Sequence, residues 1–126
     1  MSDAAQALTK VLGRGSAHEG AHHWRAQRLT AIALALLGLW FLIALVRLPG
    51  YGYAAVHLWA SGLWHATLLA LFTAAACWHS LLGVQVVIED YVQGWLRQAS
   101  LVVSAFIHAL LGGIGLLAIA RIAIGG

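Results

Sequence analysis

Three long apolar stretches, separated by short polar ones, set the plan of this chain. The first runs from about Leu29 to Val46 and is closed by Arg47, the second from about Leu63 to Ile88, and the third from about Ser100 to Ala120, with Arg121 at its exit. A helix needs about 20 residues to cross a hydrocarbon core of roughly 30 Å, and each stretch has about that length. The pattern predicts an all-α membrane protein with three transmembrane helices, spanning about 29–47, 63–88 and 100–121 of a single domain that covers residues 1–126. Residues 1–28 are polar and basic and form a segment ahead of the first span. The stretch Leu48-Pro49-Gly50-Tyr51-Gly52-Tyr53 predicts a turn, since both Pro and Gly interrupt helices. Residues 54–62 predict a short interfacial helix, and Tyr51, Tyr53, Trp59 and Trp64 suit an aromatic belt at the headgroup level. Glu89, Asp90, Trp95 and Arg97 mark the return to water before the third span.

Composition agrees with this plan. Of the 126 residues, 62% are hydrophobic and only 9% charged. A soluble domain this small has too little interior to hide so much apolar surface. The N-terminal stretch has no short apolar core followed by a small-residue cleavage site, so it does not read as a cleavable signal peptide. Cys77, the single cysteine, has no intrachain disulfide partner. The net charge of +3 comes from basic residues beside the spans, which reads as an orientation signal and not as a nucleic-acid surface. Lys10, Arg14, Arg25, Arg28 and Arg97 fall on one side, and Arg47 and Arg121 on the other. The positive-inside rule then predicts a cytoplasmic N-terminus and 89–99 loop, with the 48–62 loop and the C-terminus on the periplasmic side.

One motif carries chemistry: His79-Ser80-Leu81-Leu82-Gly83-Val84-Gln85-Val86-Val87-Ile88-Glu89-Asp90-Tyr91. No Lys, Arg, Asp or Glu occurs between Arg47 and Glu89, so His79 sits in an apolar span with no charged residue nearby. An ionisable residue there is costly and marks a candidate site, and imidazole is a common haem ligand. At 100° per residue, Gly83 lies about 40° and Asp90 about 20° around the helix from His79, while Tyr91 is about 18 Å further along the axis. One stripe therefore carries an imidazole, a residue without bulk one turn on, and a carboxylate at the boundary. Each part also has a plainer reading. A membrane histidine can hydrogen-bond a neighbouring helix, a glycine can serve helix packing, and an Asp-Tyr pair can end a helix at the interface.

The pattern His-x3-Gly-x6-Asp-Tyr after an apolar helix resembles the hydrophobic membrane anchor of succinate dehydrogenase, of the alphaproteobacterial and mitochondrial-like type. The stretch from Gly15 to Ala31, with its Gln27-Arg28-x-Thr30-Ala31 motif, resembles the entry to the first helix of those proteins. The resemblance covers about residues 13–121. It implies that His79 is an axial ligand of haem b, that the second ligand comes from a second membrane anchor, and that Arg28 lies near the haem propionates. It also implies that Tyr91 hydrogen-bonds a ubiquinone carbonyl and that Asp90 beside it meets an arginine of the second anchor. The implied assembly adds an iron–sulfur subunit and a flavoprotein, on the bacterial inner (cytoplasmic) membrane. This chain would be an enzyme subunit without a succinate site of its own, and its sequence contains no dinucleotide fingerprint and no cysteine cluster.

The remaining histidines are weaker candidates. His18, His22 and His23 fall in the polar N-terminal segment, read as solvated or as contacting a soluble subunit, and His57 falls in the outer loop. His65, nearly on the face of His79, opens a two-haem alternative, and His108 opens an intrachain bis-histidine haem. Two rival functions remain at this level: the anchor of a fumarate reductase, and a small non-redox transport or structural membrane protein with a packing histidine.

Overall fold

Residues 16–125 are described by a computed structural model, with side chains described from Gly20 onward. Lys10 and Arg14, which contribute to the expected charge asymmetry, lie outside the described residues, as does the side chain of His18. Four helices follow one another: α1 (Ser16–Val46), α2 (Tyr53–Ser61), α3 (Leu63–Tyr91) and α4 (Gly94–Ile124). Three of them, α1, α3 and α4, are long and apolar enough to cross a membrane, and the short α2 matches the expected interfacial helix.

Helix α1 is longer than the apolar stretch that predicts it. Residues 16–28, expected as a segment ahead of the span, form the first turns of the same helix. Their Ala, Glu, Gln and Arg residues are good helix formers, and only Gly20 weakens the run after its first turn. Of the turn expected at residues 48–53, residues 48–52 are non-helical and Tyr53 already opens α2; the Tyr51 hydroxyl donates to the Leu45 carbonyl (3.2 Å), meeting one acceptor that the end of α1 leaves open. Only Val92 and Gln93 separate α3 from α4, so Asp90 and Tyr91 belong to the last turn of α3. Gly94 takes φ +66 as the chain reverses, a left-handed conformation that costs a residue with a Cβ roughly 1–2 kcal/mol.

The long helices form a row with α3 in the middle. Helices α1 and α4 both pack against α3, α2 lies across α3 and α4, and α1 and α4 do not meet. Helices in lipid gain nothing by hiding apolar side chains from one another, so close approach and polar contacts decide where they touch. On the α4 side, a Cβ added at Gly112 would stand 3.4 Å from Cys77 Sγ, and one at Gly115 3.0 Å from Thr73 Cγ2. On the α1 side, Phe41 and Phe72 stack at 5.4 Å between centroids, with Gly38 beside Phe72. Few side chains are buried: Ala60, Ala66, Leu82, Thr30 and Ser104, and no large one is fully enclosed. Leu36, Leu42 and Val46 of α1 and Val102, Phe106 and Leu117 of α4 face outward.

The close approach of α3 and α4 can be measured. Gly115→Val should destabilise the detergent-solubilised complex by about 1–3 kcal/mol, since the added methyls must push Thr73 aside. Gly113→Val, where an added Cβ meets nothing within 4 Å among the described residues, is the comparison. Equal melting temperatures for the two variants would show that the α3–α4 contact is looser than these distances indicate.

Candidate functional site

His79 lies on the α1 side of α3. Its Nδ1 is 3.0 Å from the hydroxyl of Thr30, which is 5% exposed and is one of the most buried polar residues described. The same hydroxyl is 2.9 Å from the Ala26 carbonyl and 3.1 Å from the Gln27 carbonyl, one turn back along α1. The other ring nitrogen, Nε2, has no hydrogen-bond partner among the described residues. It is also absent from the buried polar atoms that lack partners, namely His23 Nε2, Gln27 Oε1 and Arg97 Nε, so the half-buried His79 ring keeps Nε2 at an accessible edge. His79 is therefore held from one side and open on the other.

His108 is committed on both sides. Its Nδ1 lies 2.8 Å from the Ser104 carbonyl, an acceptor, so Nδ1 carries the proton. Nε2 then accepts from the Ser80 hydroxyl at 3.1 Å, which joins α4 to α3. With no free nitrogen, His108 is a packing histidine, and the intrachain bis-histidine haem loses its second ligand. His65 is engaged elsewhere. It stacks with Trp40 (6.3 Å) and lies tilted against Trp59 (5.1 Å), near the Arg47 end of α1, about 21 Å along α3 from His79. His57 packs on Tyr53 at 5.5 Å.

An open cleft of about 810 Å³ lies at the opposite end of the row, lined by Gly20, His23, Trp24 and Gln27 of α1, Gly83, Val86 and Glu89 of α3, and Arg97 of α4. A Cβ on Gly83 would stand 3.8 Å from Gln27 Nε2, so the small residue near His79 lets α1 and its glutamine come close. The three buried polar atoms without partners all belong to residues lining this cleft. Arg97 and Glu89 approach to 3.9 Å across it.

The other expected site residues lie near this end without meeting His79. Arg28 is exposed, with its guanidinium 5.1 Å from the Trp24 ring, and sits about 160° around α1 from Thr30 but only about 3 Å from it along the axis. Asp90 is exposed and forms no ion pair among the described residues. Tyr91 is 82% exposed. Among the described residues its hydroxyl has no hydrogen-bond partner. The described part of the chain thus brings His79 together with Thr30, while Arg28, Asp90 and Tyr91 face outward and need a neighbour to complete any site. Sequence reasoning does not link Thr30 to His79, although Thr30 is part of the α1 entry motif. It reads Gln27 only as part of that motif and Arg97 only as a boundary and orientation residue, and their unmet polar atoms emerge only from the packing.

Comparison with known proteins agrees with this architecture. The family model for the succinate dehydrogenase/fumarate reductase transmembrane subunit matches residues 2–120. The succinate dehydrogenase hydrophobic membrane anchor subunit of Paracoccus denitrificans is 32% identical over 114 residues, covering 90% of this chain and 88% of the relative. Those of Rickettsia conorii and Rickettsia bellii are 33% identical (68% of each chain) and 30% identical (82% of this chain, 83% of the relative). No solved structure matches the chain. With three membrane-length helices and a match along nearly its whole length, the chain is a multi-pass inner-membrane protein that belongs to the succinate dehydrogenase/fumarate reductase transmembrane subunit family.

Proposed function

We propose that this chain helps bind haem b and ubiquinone in a succinate:quinone oxidoreductase and tethers the flavoprotein and iron–sulfur subunits to the membrane. The observation that carries the reading is His79, fixed through Nδ1 with Nε2 left unengaged in the apolar part of α3. That arrangement fits one axial ligand of a haem and not two. His108 has no free nitrogen and His65 lies about 21 Å along α3, which supports a reading in which the second ligand would come from the second membrane anchor. A haem held in this way supplies one-electron transfer within the membrane.

The residues of this chain then have distinct tasks. His79 would ligate the iron, and Arg28, level with Thr30 on α1, would offer its guanidinium to a propionate. Tyr91 presents a phenolic hydroxyl as a donor to a ubiquinone carbonyl. Asp90, unpaired among the described residues, takes an arginine of the second anchor and provides a carboxylate at the water boundary where reduced quinone needs protons. Arg25, Arg28 and Arg97 share this end of the row, and Arg47 and Arg121 lie at the other, so the positive-inside rule gives a cytoplasmic N-terminus, a periplasmic C-terminus and a docking face for the iron–sulfur subunit beside Tyr91. Relatives named for succinate dehydrogenase favour that direction of turnover over the fumarate reductase alternative.

Two measurements test the reading. His79→Leu cannot coordinate iron, so the reduced b-type band of the purified complex should be lost or strongly weakened. A normal bis-imidazole spectrum in that variant would remove His79 as the ligand and leave a packing histidine. Tyr91→Phe removes only a hydroxyl, so assembly and haem content should survive. Quinone reduction should fall by roughly tenfold or more, as expected when a polar contact worth about 1.5 kcal/mol is lost. Succinate oxidation with an artificial acceptor that bypasses quinone should stay near normal, and unchanged quinone turnover would make Tyr91 an interfacial residue only.

A further inference from the structure

We propose that Thr30 is a positioning residue for His79, holding its imidazole as the Nδ1–H tautomer so that the Nε2 lone pair is turned outward. This rests on the reading of His79 as a haem ligand, and it concerns how α1 prepares that ligand. The argument is a count of protons. The Thr30 hydroxyl has one hydrogen and three close neighbours: the Ala26 carbonyl at 2.9 Å, the Gln27 carbonyl at 3.1 Å and His79 Nδ1 at 3.0 Å. Both carbonyls can only accept. If the hydroxyl proton pointed to Nδ1, two carbonyl oxygens would face the threonine oxygen at these distances with no proton between them. With the proton shared by the carbonyls and Nδ1–H donating to the oxygen, all three contacts are attractive.

That assignment fixes the far side of the ring. A neutral imidazole with its proton on Nδ1 carries its lone pair on Nε2, the atom with no partner among the described residues and with an accessible edge. The geometry is also stiff. Thr30 is β-branched, 5% exposed and tied back to its own helix, so its oxygen cannot swing away without breaking the carbonyl contacts. An acceptor on the remote N–H of a ligating histidine sets ring orientation and raises ligand basicity, and its loss typically costs 10–100-fold in affinity. Greater basicity favours the ferric ion, so Thr30 holds the midpoint potential down.

The test uses the whole purified complex carrying Thr30→Val, which matches threonine in shape and lacks the oxygen, and Thr30→Ser, which keeps it. Haem-to-protein ratio, haem midpoint potential and melting temperature are measured for each. In Thr30→Val the potential should rise by about a tenfold change in the ferrous-to-ferric ratio, or about 59 mV for one electron, with haem lost more readily to a haem-scavenging protein. Thr30→Ser should return both values towards the parent. An unchanged potential and haem content in Thr30→Val would overturn the proposal and leave an ordinary interhelical contact. Equal shifts in Val and Ser would overturn it too, because packing and not the oxygen would then be responsible. Should Thr30→Val fail to assemble, Thr30→Cys, whose thiol is a weaker acceptor, carries the same test: a raised potential supports the proposal and a parental one overturns it. His79→Leu in the same series keeps the two readings apart. Retained haem there removes the ligand assignment, whereas haem lost there with a parental potential in Thr30→Val removes only the role of Thr30.

Discussion

A histidine surrounded by hydrocarbon has two ring nitrogens and no water to satisfy them, so the protein must do it. This chain meets that demand twice, from neighbouring residues of one helix. His79 turns to Thr30 of α1, and Ser80, about 100° further round α3, turns to His108 of α4. Polar contacts of this kind between membrane helices are worth about 0.6 kcal/mol on average and at most about 1.7. They are too weak to hold three helices together alone, and they act chiefly by fixing register. With 79 set against 30 and 80 against 108, Gly112 and Gly115 arrive opposite Cys77 and Thr73, and Phe72 arrives beside Gly38 and Phe41.

The two histidines show how similar residues come to different uses. His108 gives a proton to the Ser104 carbonyl and takes one from Ser80, so it joins helices and has nothing left for a metal. His79 stops at one contact. The difference is beyond the reach of spacing or hydropathy, because both residues lie in apolar spans at similar estimated depth. It depends on which hydroxyl stands across the helix interface, and that is a property of packing.

Much of the fold is legible in the sequence because the bilayer imposes it. Lengths of apolar sequence specify three helices, Pro49 with the nearby glycines specifies the turn, and Tyr53–Ser61 is helical as the interfacial reading requires. The start of α1 is not legible. Hydropathy reports where lipid begins and not where helix begins, and residues 16–28 are polar yet good helix formers. Of the site, His79 stands out as an ionisable residue in an apolar span, while Gly83, one turn from it, lets Gln27 come close, as the helix-packing reading of that glycine has it. The partnerless atoms of His23, Gln27 and Arg97 gather from two helices, and no local pattern brings such distant positions together.

The row arrangement has a consequence for the life of the subunit before assembly. Helices α3 and α4 are joined by two residues and can enter the bilayer as one hairpin, whereas α1 packs on α3, meets α2 through Trp40 and Trp59, and does not pack on α4. An unassembled copy therefore has one detachable helix, whose polar grip includes the Thr30–His79 bond and whose departure would bare a histidine to lipid. Such a molecule is a natural target for membrane proteases and quality control. Weakening the α1–α3 contact would then appear first as a shorter lifetime and lower abundance of the subunit, well before any effect on electron flow in the copies that do assemble.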